Sequence, residues 1–210
     1  MRHSSVNPAW VDEYNAHRQK WARFSLDREG PGGTPRFRYR LGRSLNPDRP
    51  LIMSDKGVLY FGAPFAPATR IVFLMLNPST ADAFDDDPTI RECCKRAEAL
   101  GAGILEVVNL FALRSSHPQE LKKYAHGYRG DDSINNHQIM EACSGAALVI
   151  AAWGNDGDLG RRDLFVRNLL KSSHVDLHHL GTTKDGYPKH PLARGKHRIP
   201  AQQEPIRWIP

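Results

Sequence analysis

From Arg70 onward the sequence alternates short apolar runs with polar, helix-patterned stretches, and this alternation constrains the fold more than any other feature. Apolar runs that lack a polar face belong to strands buried on both sides, as in a parallel sheet whose crossovers are helices. The pattern predicts strands at about 70–76, 104–110, 147–152 and 175–180, with helices at about 88–100, 131–143 and 161–172. The first helix is the best specified. Asp87 is placed to cap it, Pro88 suits its first turn, and Gly101 stops it after Leu100. The expected architecture is α/β, a three-layer sandwich around a central, mainly parallel four-stranded sheet.

Ahead of this core, residues 1–69 read as an elaboration packed on residues 70–210. Asn7-Pro8 suits an N-cap followed by proline at the first helical position, which predicts an N-terminal helix to about Phe24 with Trp10, Tyr14, Trp21 and Phe24 on one face. Gly30 to Pro35 breaks it. The stretch Arg36-Phe37-Arg38-Tyr39-Arg40-Leu41 alternates basic with apolar, the period-2 mark of a strand with one solvent face. Met53 to Phe61, turning at Asp55-Lys56-Gly57, is its expected partner in a small β-hairpin. After Pro188 the chain is proline-rich and basic and is expected to run over the surface.

Lys and Arg number 29 against 23 Asp and Glu, a net charge of +6 that leans toward a polyanionic partner. Cys93, Cys94 and Cys143 fit neither a disulfide framework nor a metal knuckle, so reduced thiols and a cytoplasmic setting are expected. The first thirty residues carry no apolar core of a signal peptide, and no run approaches the roughly 18 apolar residues of a membrane span.

Ligands of an open parallel sheet bind beyond the carboxyl ends of its strands. The residues that follow the four apolar runs are therefore the candidates: Asn77-Pro78-Ser79-Thr80, Asn109-Leu110-Phe111, Trp153-Gly154-Asn155 and Tyr187-Pro188-Lys189-His190-Pro191. The order Leu76-Asn77-Pro78, Val108-Asn109, Trp153-Gly154 and His190-Pro191 resembles the uracil-DNA glycosylase superfamily over about residues 70–194. The runs Asn77-Pro78-Ser79-Thr80-Ala81-Asp82 and Asp86-Asp87-Pro88-Thr89-Ile90-Arg91 are also similar to a family of uncharacterised bacterial and phage proteins, a likeness that brings no activity with it.

No His/Cys/Asp set has convincing ligand spacing, so no metal or cofactor is expected, and a monomer is expected; the superfamily resemblance implies a DNA glycosylase-type hydrolase. Its substrate would be a pyrimidine in single- or double-stranded DNA, in repair or in defence against phage DNA. On that reading Asn77 holds the attacking water, and Asp82 is a carboxylate that orients water beside it. Asn109 reads the Watson–Crick edge of the flipped base, and His190 donates to the base O2. Pro78 and Trp153 complete their motifs. Ser79 stands where uracil-specific members carry a bulky tyrosine, which implies room for a substituent at C5, and Phe84 or Phe111 stacks on the base. Leu192 replaces the usual serine after His-Pro. The phosphate-pinching role of that loop loses its serine, and Leu192 becomes a candidate wedge. Arg194, Lys196 and Arg198, with Arg161 and Arg162, are the candidate phosphate contacts.

Each assignment has an ordinary structural counterpart. Asn-Pro closes strands as a turn, a buried Asn finishes a sheet, a histidine is solvated, and aromatic residues at strand ends fill cores. The acidic run Asp82, Asp85, Asp86 and Asp87 suits a divalent cation or, more simply, the start of a helix. Two other functions stay open: a non-catalytic nucleic-acid-binding relative, and an enzyme of free nucleosides or nucleotides.

Overall fold

The alternation after Arg70 builds the centre of the sheet. A computed structural model describes residues 10–15, 20–27, 29–45, 51–53, 59–61, 69–126 and 133–208. Its strands are β1 (Trp10–Asn15), β2 (Lys20–Ser25), β3 (Arg38–Ser44), β4 (Leu51–Met53), β5 (Leu59–Phe61), β6 (Arg70–Met75), β7 (Ile104–Asn109), β8 (Leu148–Ala151), β9 (Leu177–His179) and β10 (Ile206–Arg207). The helices are α1 (Pro88–Ala99), α2 (Pro118–His126), α3 (Ser133–Cys143) and α4 (Arg162–Ser172). Strands β7, β6, β8 and β9 lie side by side and parallel, as the apolar runs require. Asp87 caps α1 by accepting from the Ile90 N–H at 2.8 Å, and Gly101 leaves the helix with φ +77°.

The sheet as a whole differs from the expected four-stranded, mainly parallel one. It is mixed and has eight strands in the order β1-β2-β3-β7-β6-β8-β9-β10, with antiparallel pairs at both flanks. The expected N-terminal helix is instead the β1-β2 hairpin, although Asn7 and Pro8 themselves lie outside the described residues. Trp21 to Ser25 are all buried, so the segment has no polar face to reveal a period of two. Pairing with β3 then outweighs the helical spacing of its aromatics. Strand β3 does not form a hairpin with 53–61, because β4 and β5 pair with each other and β3 lies between β2 and β7. Residues before and after position 69 thus share one sheet.

Nor does β3 have a solvent face. Arg38, Arg40 and Arg43 are 2–3% exposed. A register shift opposite Arg23 and Phe24 sends neighbouring arginines to opposite faces. Arg40 donates through Nη2 to both oxygens of buried Glu106 at 3.0 Å and lies 2.8 Å from Glu141 of α3. Arg43 instead turns to Asp86 in the loop before α1, which Lys20 also reaches. Close approach dictates Gly42, since a Cβ there would sit 1.9 Å from Trp21 Nε1.

Side-chain alternation splits the core in two. Val72, Leu74, Val108, Val149 and Ala151 pack under α2, α3 and α4. Ile71, Phe73, Met75, Leu105, Val107 and Ile150 pack under α1, with Ile90, Cys93 and Ala97. Among the described residues no helix is long and apolar enough to cross a membrane.

Candidate functional site

At the carboxyl ends of β6 and β7 the two following loops are stitched together. Leu110 N–H donates to Met75 O at 2.8 Å, Phe111 N–H to Leu76 O at 2.9 Å, and Ser115 N–H to Pro78 O at 3.0 Å. Asn77 adds its side chain to this seam. Its Nδ2 donates to Ser115 O at 2.8 Å and Pro78 O at 3.1 Å, with Leu113 O at 3.4 Å. Three carbonyls only accept, so the amide has one orientation, nitrogen toward the loops and Oδ1 away from them. Oδ1 receives no hydrogen bond from any described residue and remains an acceptor. The segment is therefore both a turn and a presented carbonyl.

Asn109 ends β7 opposite Met75, and alternation places it on the α1 side with Leu105 and Val107. It is 1% exposed, and its Nδ2 has no acceptor among the described residues. That amide hydrogen is open to an acceptor that reaches it. The strand end itself is pinned from the other face. Asn135 Nδ2 donates to the carbonyls of Asn109 and Leu110 at 3.1 Å, and Arg162 Nε to Leu110 O at 2.7 Å. Neither position carries a sequence signal, because their partners lie across the sheet.

His190 follows β9 in the loop that returns over the α1 side. Its Nδ1 accepts the Leu192 N–H at 3.2 Å, which leaves the proton of the neutral ring on Nε2. Burial lowers its pKa from the usual 6.5, against a smaller opposing pull from Asp87. His179 is held in the same way, Nδ1 accepting Gly181 N–H at 2.9 Å, and burial and then His178 lower its pKa. Both rings resist protonation in the fold more than in the unfolded chain. Their contribution to stability is full above pH 6.5 and is lost as the pH falls through their folded-state values. We expect Tm to drop between pH 7.5 and 5, and expect the double His179→Gln, His190→Gln variant to flatten that drop; an equally steep fall in the variant would assign the effect elsewhere.

Several expected site residues lie elsewhere. Phe111 and Trp153 are 0% and 2% exposed and pack in the core, Phe111 edge-on to Tyr124 and Trp153 against Trp208. Gly157 makes room for Trp153, whose ring a Cβ there would meet at 2.0 Å. Arg162 is 0% exposed and braces the strand end through Leu110 O. Arg161 is exposed at the start of α4, a helix that packs on the sheet face opposite α1. Asp82 closes its own loop: one oxygen accepts the N–H groups of Phe84 and Asp85 at 2.8 and 2.9 Å. Asp86 is committed to Lys20 and Arg43, which hold its carboxyl below the usual range although burial opposes them. Burial raises Cys93 well above its usual value and Cys94 to about 11, so neither is a thiolate at neutral pH.

The remaining candidates, apart from Pro78, reach the surface. Phe84 is 50% exposed beside Asp82, and Ser79 Oγ lies 3.1 Å from Ser116 Oγ across the seam. Pro78 is buried under this loop. Leu192, Arg194 and Arg198 line a groove of about 350 Å³ against Pro88, Glu92 and Arg96 of α1, with exposed Lys196 on the same loop. The sequence profile of a family described as a protein of unknown function (DUF1643) matches residues 64–192, more than half of the chain and all four strand-end segments. Comparison with curated proteins and with solved structures gave no match.

Proposed function

The chain belongs to that family, and for it we propose hydrolysis of the N-glycosidic bond of a pyrimidine in DNA, a glycosylase-type reaction. The observation that carries the reading is Asn77, whose carbonyl is fixed by the three bonds to its own amide nitrogen and kept open to a water. A transition state with oxocarbenium character needs a water aligned on C1′ more than one already deprotonated. An amide does the first and not the second, which suits a slow enzyme or a good leaving group. The water oxygen bonds C1′, the glycosidic electron pair leaves with the base, and the water's proton passes to solvent. His190 presents Nε2–H for the base O2, where that electron pair accumulates. The orphan Nδ2 of Asn109 would gain an acceptor on the Watson–Crick edge of the base. Exposed Phe84 offers a stacking surface, and small Ser79 leaves room for a C5 substituent.

The test is abasic-site formation on oligonucleotides carrying cytosine, uracil, thymine and hydroxymethylated or glucosylated cytosine. Abasic sites in any of them support the reading. Binding without cleavage, or action on free nucleosides alone, replaces it with one of the other two functions.

The groove beside Leu192 supports a polyanionic partner, because Arg194, Lys196 and Arg198 are exposed and its one acid, Glu92, is already paired to Arg96 at 2.7 Å. Replacing all three by glutamine should flatten the salt dependence of single-stranded DNA binding by roughly 0.7 in log–log slope for each phosphate that the variant leaves unneutralised. An unchanged slope would take the strand off this groove.

A further inference from the structure

Beside Asn77 the start of β3 brings two arginines to the same end of the sheet. Phe37 bridges Leu113, Arg38 N–H donates to Ala112 O, and Arg114 N–H to Arg36 O. Across an antiparallel pair this register makes Arg38 and Arg114 diagonal neighbours on one face, within reach of each other's long side chains. Arg38 is 2% exposed, and Arg114 is half-buried against the ring of Phe24.

Neither guanidinium forms an ion pair among the described residues. Arg38 donates once, to Ala81 O in the Asn77–Asp87 loop, and Arg114 once, to Pro35 O; the Nε of each is buried without an acceptor. Asp82 and Asp87 lie near Arg38, and Asp82 and Glu13 near Arg114, but none of them pairs with either guanidinium among the described residues. Asp86 holds Lys20 and Arg43, Asp82 accepts the backbone of Phe84 and Asp85, and Asp87 caps α1. Burial presses Arg38 down to about 9, Asp87 pulling it up while Arg114 and Arg43 push it further down. A buried cation beside like charges is costly unless an anion joins it. Elsewhere in this fold that cost is met by carboxylates, as Glu106 and Glu141 meet it for Arg40.

We propose that Arg38 and Arg114 form the floor of an oxyanion site that takes a phosphate group at the mouth of the Asn77–Asp87 loop. Guanidinium forks match phosphate geometry, and two unsatisfied ones on a shared face supply donors and charge together. The phosphate belongs either to a phosphodiester backbone or to a nucleoside monophosphate. The proposal stands on the unpaired arginines and does not need glycosidic cleavage to occur.

The experiment is a thermal-shift titration of the full chain with inorganic phosphate, thymidine monophosphate and a short single-stranded oligonucleotide without terminal phosphates, at constant ionic strength. At a hundredfold excess over Kd a bound phosphate should raise Tm by roughly 5–10 °C, saturably. Arg38→Met keeps the volume and removes the charge. It should leave Tm without ligand near or above that of wild type, because a buried unpaired cation is gone, and it should weaken the phosphate response at least tenfold. A response to the monophosphate but not the oligonucleotide identifies a free nucleotide, and the reverse a strand. No saturable shift with any probe, or an undiminished shift in Arg38→Met, overturns the site. Should Arg38→Met not fold, Arg114→Met decides by the same readout.

Discussion

Replacing Glu106 with glutamine should cost the protein about 3–5 kcal/mol of stability, because the change leaves the guanidinium of Arg40 buried with half its charge compensation gone. Glu106 and Arg40 are 1% and 3% exposed, and Arg70 lies 3.6 Å from the same carboxylate. Burial works against the charge on Arg40, but Glu106 and Glu141 together hold its pKa above the usual value. The pair clamps β3 to β7, where the antiparallel flank meets the parallel core. For a chain of 210 residues the loss amounts to a Tm drop of roughly 6–20 °C. The double variant Arg40→Met, Glu106→Leu removes both charges and should recover much of the loss. A drop of only a degree or two in Glu106→Gln would show that Glu141 suffices to hold this seam.

Asn77→Ala should lower kcat for abasic-site formation by roughly 10²–10³-fold while leaving DNA binding within a factor of about three, since an aligned water contributes to the transition state and little to the ground state. The same change removes the amide bonds to Ser115, Pro78 and Leu113, so Tm should also fall, by an amount worth about 1–2 kcal/mol. The two effects separate the roles. A residue that merely closes the turn would lose stability and keep its kcat, and that result would remove Asn77 from the mechanism. Asn77→Asp is no conservative control here, because one carboxylate oxygen would face the same carbonyls; it should be less stable than the alanine variant.

The parallel strands and α1 were legible because their signals are local. Ile71 to Met75 are apolar throughout, and Asp87, Pro88 and Gly101 punctuate a helix through bonds made within a few residues. Helix α2 is absent from the sequence reading although Pro118 opens it, Gly127 follows His126 in the sequence, and Leu121 and Ala125 give it a buried stripe. Among site residues, Asn77 and His190 could be named from their strand-end positions, whereas Arg38 could not. Its alternation with Tyr39 and Arg40 reads as a solvated face, and only a bulge and the carbonyl of Ala81 turn it inward.

By itself the sequence determined that the parallel strands after Arg70 are buried on both faces and where α1 begins and ends, because apolar content, proline and glycine act on their own neighbourhood. The tertiary structure alone decided how many strands the sheet has, which way β1 to β3 run, and that Phe111, Trp153 and Arg162 are buried. Those outcomes depend on partners far away in sequence. Arg40 is 66 residues from Glu106, and Arg162 is 52 from Leu110. An arginine is charged wherever it stands, and whether that charge meets water, a carboxylate or an empty place for an anion is settled only when the strands come together.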